Sequence, residues 1–281
     1  MSCRKFAVFI LTHGRANNIA TDRSLREQGY TGDIYYIIDD EDEQEEEYYK
    51  NYGDKVIKFC KQKYVDDVDT MNPEAPRGVI LYARNACFDI AEDLGLTHFA
   101  ELDDDYTRWE WRYPKKERLR TKDILDLDSV FGAMLDFLDS SNALSVALAQ
   151  GGDFVGGVEG RWYKRILRKA MNSFFCRTDR RFKFFGAVNE DVNTYVSLGN
   201  KGQLFLTELL ASLHQKETQQ AEGGMSEAYL DFGTYVKSFY TVMVCPSCVK
   251  VSVMGNKDMR VHHKIMWKYA VPKIISDKWR K

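Results

Sequence analysis

The chain of 281 residues contains no run of 18 apolar residues, so no part of it reads as a membrane-spanning helix. Its opening, MSCRKFAVFILTHG, has a short apolar core that passes straight into polar sequence without a small-residue cleavage site, and so reads as a first strand. No internal repeat, low-complexity tract or convincing linker is visible, which argues for one domain over residues 1–281 and against two independent ones. Cys245-Pro-Ser-Cys248 has half-zinc-site or redox spacing, but there is no second C-x-x-C to complete a tetrahedral site, although His262 and His263 follow. Nothing marks the six cysteines as a secreted disulfide set, so they are read as reduced and the protein as cytoplasmic. A glycine-rich phosphate loop is also missing. Thr12-His13-Gly14-Arg15 is a poor version of one, which counts against a nucleotidyltransferase.

What is present is ample material for a core, with 44% hydrophobic residues, and a net charge of -2 that hides strong local asymmetry. Residues 39–47 hold eight acids in nine positions, whereas residues 161–183 hold nine Lys or Arg against the single acid Asp179. In that basic stretch and the two residues after it Arg161, Lys164, Arg165, Arg168, Lys169, Arg180 and Arg181 alternate with Trp162, Tyr163, Phe174, Phe175, Phe182, Phe184 and Phe185. The mixture suits phosphate neutralisation beside base stacking, and the bland alternative is a basic face snorkelling over a core.

Along the chain, Phe6 to Leu11 is a continuous apolar run of strand length, suited to a buried parallel strand. Asn17 or Asn18 can cap a helix running to Gln28, with Gly29 as its stop. Ile34 to Ile38 is a second strand ending in Asp39 and Asp40, Glu41 to Asn51 a solvated helix, and Val56 to Phe59 a third strand. Helical spacing recurs over Leu81 to Leu94 and Ile124 to Leu138, and Ala143 to Ala149 reads as a further buried strand. The alternation predicts an α/β fold, a mostly parallel, doubly wound sheet flanked by helices, with ligands at the carboxyl ends of its strands.

The organising feature is LTHFAELDDDY, an apolar run ending in Asp103, Asp104 and Asp105, which repel one another unless they face solvent or share a cation. If the strand continues through all three, Asp103 and Asp105 share a face and Asp104 points the other way. Two oxygen ligands at a strand's mouth suit Mg²⁺ or Mn²⁺ when a substrate phosphate completes the shell. Glu190 and Asp191 open a helix expected over Asp191 to Leu198, with Gly199 at its end, where the helix dipole favours ionised carboxylates.

A strand ending in Thr-His-x-Arg, a second ending in Asp39-Asp40, a helix opening with Ala83-Arg84-Asn85, the Asp103-Asp104-Asp105 turn and a later Asn189-Glu190-Asp191 occur in the order used by GT-A glycosyltransferases. The pattern covers roughly Phe6 to Leu206, and within that fold the chain most resembles the TET/JBP-associated glycosyltransferases, proposed to glycosylate hydroxymethylated pyrimidines in DNA. The resemblance implies a nucleotide-sugar donor, a UDP-sugar, over residues 1–106 and an acceptor held by residues 107–281. It implies that Thr12, His13 and Arg15 line the nucleotide site, that Asp39 or Asp40 meets the base or ribose, and that Arg84 faces the diphosphate. Asn85 and Asp104 count among the donor-side residues. Asp103 and Asp105 would hold the metal with His262 or His263, Asp191 would be the catalytic base, and Glu190 would hold the acceptor or sugar. Three alternatives stay open: a nucleotidyltransferase, a non-catalytic DNA-binding module, which leaves the acids without a purpose, and a glycosyltransferase acting on a glycan or protein.

Overall fold

Continuous apolar runs become strands buried on both faces, and the chain builds one sheet from them. The computed structural model describes residues 4–72, 75–160, 167–215, 225–254 and 260–270. Its first half runs β1 (Phe6–Leu11), α1 (Ala20–Glu27), β2 (Asp33–Asp39), α2 (Glu45–Tyr52), β3 (Val56–Phe59), α3 (Lys61–Val65), α4 (Leu81–Asp93) and β4 (His98–Asp103). It continues with β5 (Tyr106–Lys115), β6 (Arg118–Asp123), α5 (Leu127–Ser141), β7 (Ser145–Ala149), β8 (Ser173–Arg177), α6 (Glu190–Asn200) and β9 (Phe205–Gln215). Last come α7 (Met225–Val244), β10 (Val249–Met254), β11 (Arg260–Ile265) and α8 (Trp267–Ala270).

Nine strands form one sheet in the order β3-β2-β1-β4-β8-β7-β9-β5-β6, and β10 and β11 form a separate hairpin. The pairs β3–β2, β2–β1, β1–β4 and β7–β9 are parallel, while β8 runs against both β4 and β7, and β5 against both β9 and β6. The mostly parallel α/β sheet is therefore as expected, with two antiparallel insertions. Because side chains alternate along a strand, Ala7, Phe9 and Leu11 enter the core beneath α4, while Val8 and Ile10 enter the core that α1 and α5 cover. Each such fully buried apolar side chain stabilises the fold by about 1.5–3 kcal/mol.

Some boundaries differ from expectation. Helix α1 starts at Ala20 behind Ile19, with no side-chain cap, because the Asn17 amide is taken up by Asn51. It stops as expected, with Gly29 at φ +86° and the carbonyl of Leu125 so close that no Cβ would fit. Helix α6 runs through Gly199 to Asn200, and Gly202, at φ +86°, takes the left-handed position beyond it.

Candidate active site

Parallel neighbours put the carboxyl ends of β1, β2 and β4 side by side, so the three polar segments that follow them meet. Thr12 Oγ1 donates to Asp104 Oδ2 at 2.8 Å and lies 2.8 Å from the Tyr48 hydroxyl. Arg15 Nη1 reaches Asp104 Oδ1 at 2.6 Å. Asp104 is buried and latches the loop after β1 to the end of β4. Next to this latch His13 Nδ1 lies 3.0 Å from Asp39 Oδ2, and Lys61 Nζ lies 2.8 Å from Asp39 Oδ1. Burial pushes the Asp39 carboxyl up, but His13 and Lys61 outweigh it and bring it down to about 2; the hydrogen bond that His13 donates to Asp39 in turn raises the His13 pKa. Asp40 is exposed and accepts the Lys61 amide.

The strand β4 ends at Asp103, and the chain turns over Asp104 and Asp105. Strand alternation therefore stops two residues short of Asp105 and does not set Asp103 and Asp105 on one face, which corrects that expectation. Asp103 faces a cavity of about 790 Å³ whose lining includes Arg84, Glu190, Asp191, Lys169, His262 and His263, and does not include Asp105. Asp105 instead has one carboxylate oxygen bonded by Gln215 Nε2 at 3.2 Å and the other buried without a partner. Burial, with Asp103 adding to it, pushes the Asp105 carboxyl up to about 7.

Arg84 carries the opposite correction. It is 2% exposed, its Nε bonds Glu190 at 3.0 Å, its Nη2 bonds Asp103 at 2.9 Å, and Nη1 lies 3.6 Å from Glu101. Burial works against its charge, yet Asp103, Glu190 and Glu101 outweigh burial and raise its pKa. The guanidinium is thus committed to protein carboxylates rather than held out as a free fork for a diphosphate. Asn85, one residue on, binds the backbone of Leu81 and both backbone polar groups of Phe184, so it clamps the chain and is not a donor-side ligand.

Three acids, Glu101, Asp103 and Glu190, therefore surround one guanidinium, and Asp191 follows Glu190 in the same cavity. Burial pushes Glu101 up to about 8 although Arg84 pulls it back; burial and then Glu190 push Asp191 up to about 7. Asp191 sits in the first turn of α6, where the dipole favours its charge, but burial is the stronger effect. Asn189 stands at the cap position with φ +54° and makes no side-chain cap; its amide ties α6 to Lys237 and Thr241 of α7. Across the cavity the rings of His262 and His263 lie 4.3 Å apart on β11, and His263 Nδ1 is buried without a partner. Burial, with His262 and Lys237, brings His263 down to about 4, so it is neutral at pH 7, as a metal ligand must be. Among the described residues no group of three His, Cys, Asp or Glu side chains stands ready to hold a metal ion.

The basic stretch is not one face. Arg161, Lys164 and Arg165, with Trp162 and Tyr163, lie outside the described residues. Arg168 is exposed, and Lys169 lines the cavity while pairing with Asp153. Arg180 donates to the carbonyls of Leu138 and Ala143 at the end of α5, and Arg181 pairs with Asp89 and Glu92. Both follow the end of β8, and since β8 runs against β4, with Arg177 opposite His98, they lie at the edge of the sheet away from Asp103. Phe174, Phe175, Phe182 and Phe184 are buried in the core and are not free to stack on a base. Sequence reasoning passed over Glu101, whose signal was an acid inside an apolar strand, and Gln215, which carried no signal.

The protein is a glycosyltransferase. It belongs to the TET-Associated Glycosyltransferase family, whose model matches residues 6–224. Among solved structures, glucosyl-3-phosphoglycerate synthase from Mycobacterium tuberculosis in complex with Mg²⁺ and uridine diphosphate is similar, with 9% identity, a TM-score of 0.48, and 93% of this chain and 88% of that chain covered. The same enzyme with Mn²⁺ and UDP-glucose gives 9% identity and 0.48 over 93% and 87% of the two chains. No curated protein matches the chain in sequence. Among the described residues no helix is long and apolar enough to cross a membrane.

Proposed function

We propose that the protein moves a sugar from a UDP-sugar to a hydroxymethylated pyrimidine in DNA, with a divalent cation in attendance. The observation that carries the reading is the cavity lined by Asp103, Glu190 and Asp191 around Arg84, a guanidinium that buried Glu101 also approaches, beside the Thr12–His13–Asp39 cradle. An acid excess of that kind asks for a further cation; neutral His263, with Nδ1 unpartnered, lines the same cavity as Asp103, and Asp105 stands outside that lining with one buried oxygen unpartnered. Asp103 and Asp105, with His262 or His263, would hold Mn²⁺ or Mg²⁺, which when bound neutralises charge developing on the departing diphosphate.

The chain's own residues do the rest. Thr12, His13 and Arg15, fixed by Asp104 and Asp39, hold the nucleotide. Asp191 takes the proton of the acceptor hydroxyl, and a carboxyl brought to about 7 suits that work at neutral pH. Glu190, anchored on Arg84, holds the sugar or acceptor beside it. The DNA acceptor is suggested by the family's name and by exposed Arg168, with Arg161, Lys164 and Arg165 near it in sequence. A second reading, a glycan or protein acceptor, is favoured by the loss of Arg180 and Arg181 to internal pairs. The test is mass spectrometry of nucleosides after incubating hydroxymethylated DNA with mixed nucleotide sugars and Mn²⁺. A hexose or pentose adduct on the base is expected; donor hydrolysed to free sugar without any adduct would count against the DNA acceptor.

A further inference from the structure

The hairpin β5–β6 follows the acid turn directly, and its composition is unlike that turn's: residues 106–123 contain seven Lys or Arg and three acids. Register assigns the two faces of the hairpin. Trp111 stands opposite Lys122, Tyr113 opposite Arg120 and Lys115 opposite Arg118, so these three cross-strand pairs share one face. All six side chains are exposed, Trp111 and Tyr113 by 39% and 38%. The other face is spent on packing: the Arg112 guanidinium lies 4.4 Å over the Phe154 ring, and Leu119 packs against Ala149 and Phe154. The turn Gly151–Phe154 that receives it contributes Gly152 and Asp153 to the wall of the cavity. At the hairpin's tip Lys116 adopts φ +56°, a conformation ordinarily left to glycine or asparagine.

We infer that this outer face, Trp111, Tyr113, Lys115, Arg118, Arg120 and Lys122, is the docking surface for the nucleic-acid acceptor. The inference rests on the DNA-acceptor reading above. A polyanion cannot lie along the carboxylate cluster without repulsion, so the cations that hold it must stand outside the cavity yet be fixed to its wall, as these are. Among the described residues, Lys115, Arg118, Arg120 and Lys122 make no ion pair with an acid of the chain, in contrast to Arg180 and Arg181. Flat aromatic groups beside cations suit stacking next to phosphate neutralisation, and a two-stranded ribbon has the dimensions of the major groove. An anionic protein would use the cations but has no need of the aligned rings.

The test is fluorescence anisotropy of the full chain with a duplex DNA oligonucleotide across a salt series. Three proteins are compared: the unaltered chain, the variant Lys115→Gln/Arg118→Gln/Arg120→Gln/Lys122→Gln, and the variant Trp111→Ala/Tyr113→Ala. Donor hydrolysis and melting temperature are measured beside binding. The fourfold variant is expected to bind more weakly and to lose about 0.9 of log-log salt slope for each phosphate contact, about 3.6 for all four. The aromatic variant is expected to weaken binding about tenfold at unchanged slope. Donor hydrolysis stays unchanged in both. Unaltered affinity and slope in the fourfold variant, with the parent chain binding DNA normally, would overturn the hairpin while leaving the acceptor reading in place. A parent chain with no salt-sensitive DNA affinity would overturn both. Displacement of DNA by polyglutamate at equal charge concentration would assign the surface to an acidic protein instead.

Discussion

Asp39 shows how a single residue at a strand's end sets the pH behaviour of the cradle. Its carboxyl is held at about 2 against an ordinary 3.8, so its ion pairs stabilise the fold fully above pH 3.8 and are lost as pH falls through about 2. The shift is worth on the order of 2 kcal/mol. His13 is the same interaction from its other end: its pKa is raised above 6.5, so that stability is complete below 6.5 and declines as pH rises through the raised value. Only one of the two is counted. In urea denaturation followed from pH 2 to 8, the unaltered chain should lose that 2 kcal/mol between about pH 4 and pH 2, and Asp39→Asn should lack this limb and the weaker one above 6.5. Parallel curves for the two proteins would show that Asp39 is not held by His13 and Lys61 in solution.

At the scale of elements, the strands β1 and β3 and the helix α4 were legible because each is a single signal: an apolar run of strand length or a helical period closed by Gly95 at φ +64°. The end of β4 misled because three like residues in a row carry no mark of where the strand stops. The strand β8 was hidden because Phe174 and Phe175 sit among cations, and a buried strand between charged ends looks like an exposed aromatic stretch until its neighbours β4 and β7 are known. The hairpin β5–β6 was hidden for the reverse reason, since its exposed face is too charged to read as a strand. Of the site, the strand-end residues could be named from sequence, but not whether each meets ligand or protein, since that depends on long-range partners such as Glu101 and Glu190 for Arg84, or Phe184 for Asn85. Asn85 makes this testable. Replacing it with Ala leaves the buried N–H and C=O of Phe184 without that partner, which costs about 3 kcal/mol. Thermal and urea unfolding should show that loss, while KM for the donor below the melting transition stays within about twofold, an outcome set by a clamp rather than a ligand. A raised KM at unchanged stability would return Asn85 to the donor site.

At the scale of the molecule, the cavity draws on both halves of the chain: Asp103 from β4, Glu190 and Asp191 from α6, Gln215 from β9 and His262 and His263 from β11. Among the described residues no one element carries a metal site, and Asp103 is engaged by Arg84 while Asp105 is backed by Gln215. A cation arriving alone therefore meets two carboxylates with prior commitments and, among the described residues, no group of three ligands already gathered, and a diphosphate arriving alone meets an acid excess that repels it. Each removes the obstacle to the other, so binding should be cooperative, and the coupling must be the same whichever ligand is added first. Calorimetry with Mn²⁺ alone and with UDP alone should show weak binding, and each should tighten the other by the same factor, tenfold or more, equivalent to about 1.4 kcal/mol of coupling. In Asp105→Ala the tightening should vanish while the weak metal-free affinity for UDP persists, because Thr12, His13 and Arg15 are untouched. Equal UDP affinity with chelator and with Mn²⁺ in the unaltered chain would show that the acids gathered round Arg84 neutralise one another by protonation alone, as the raised Glu101 and Asp191 carboxyls permit, and that the donor is held without a cation.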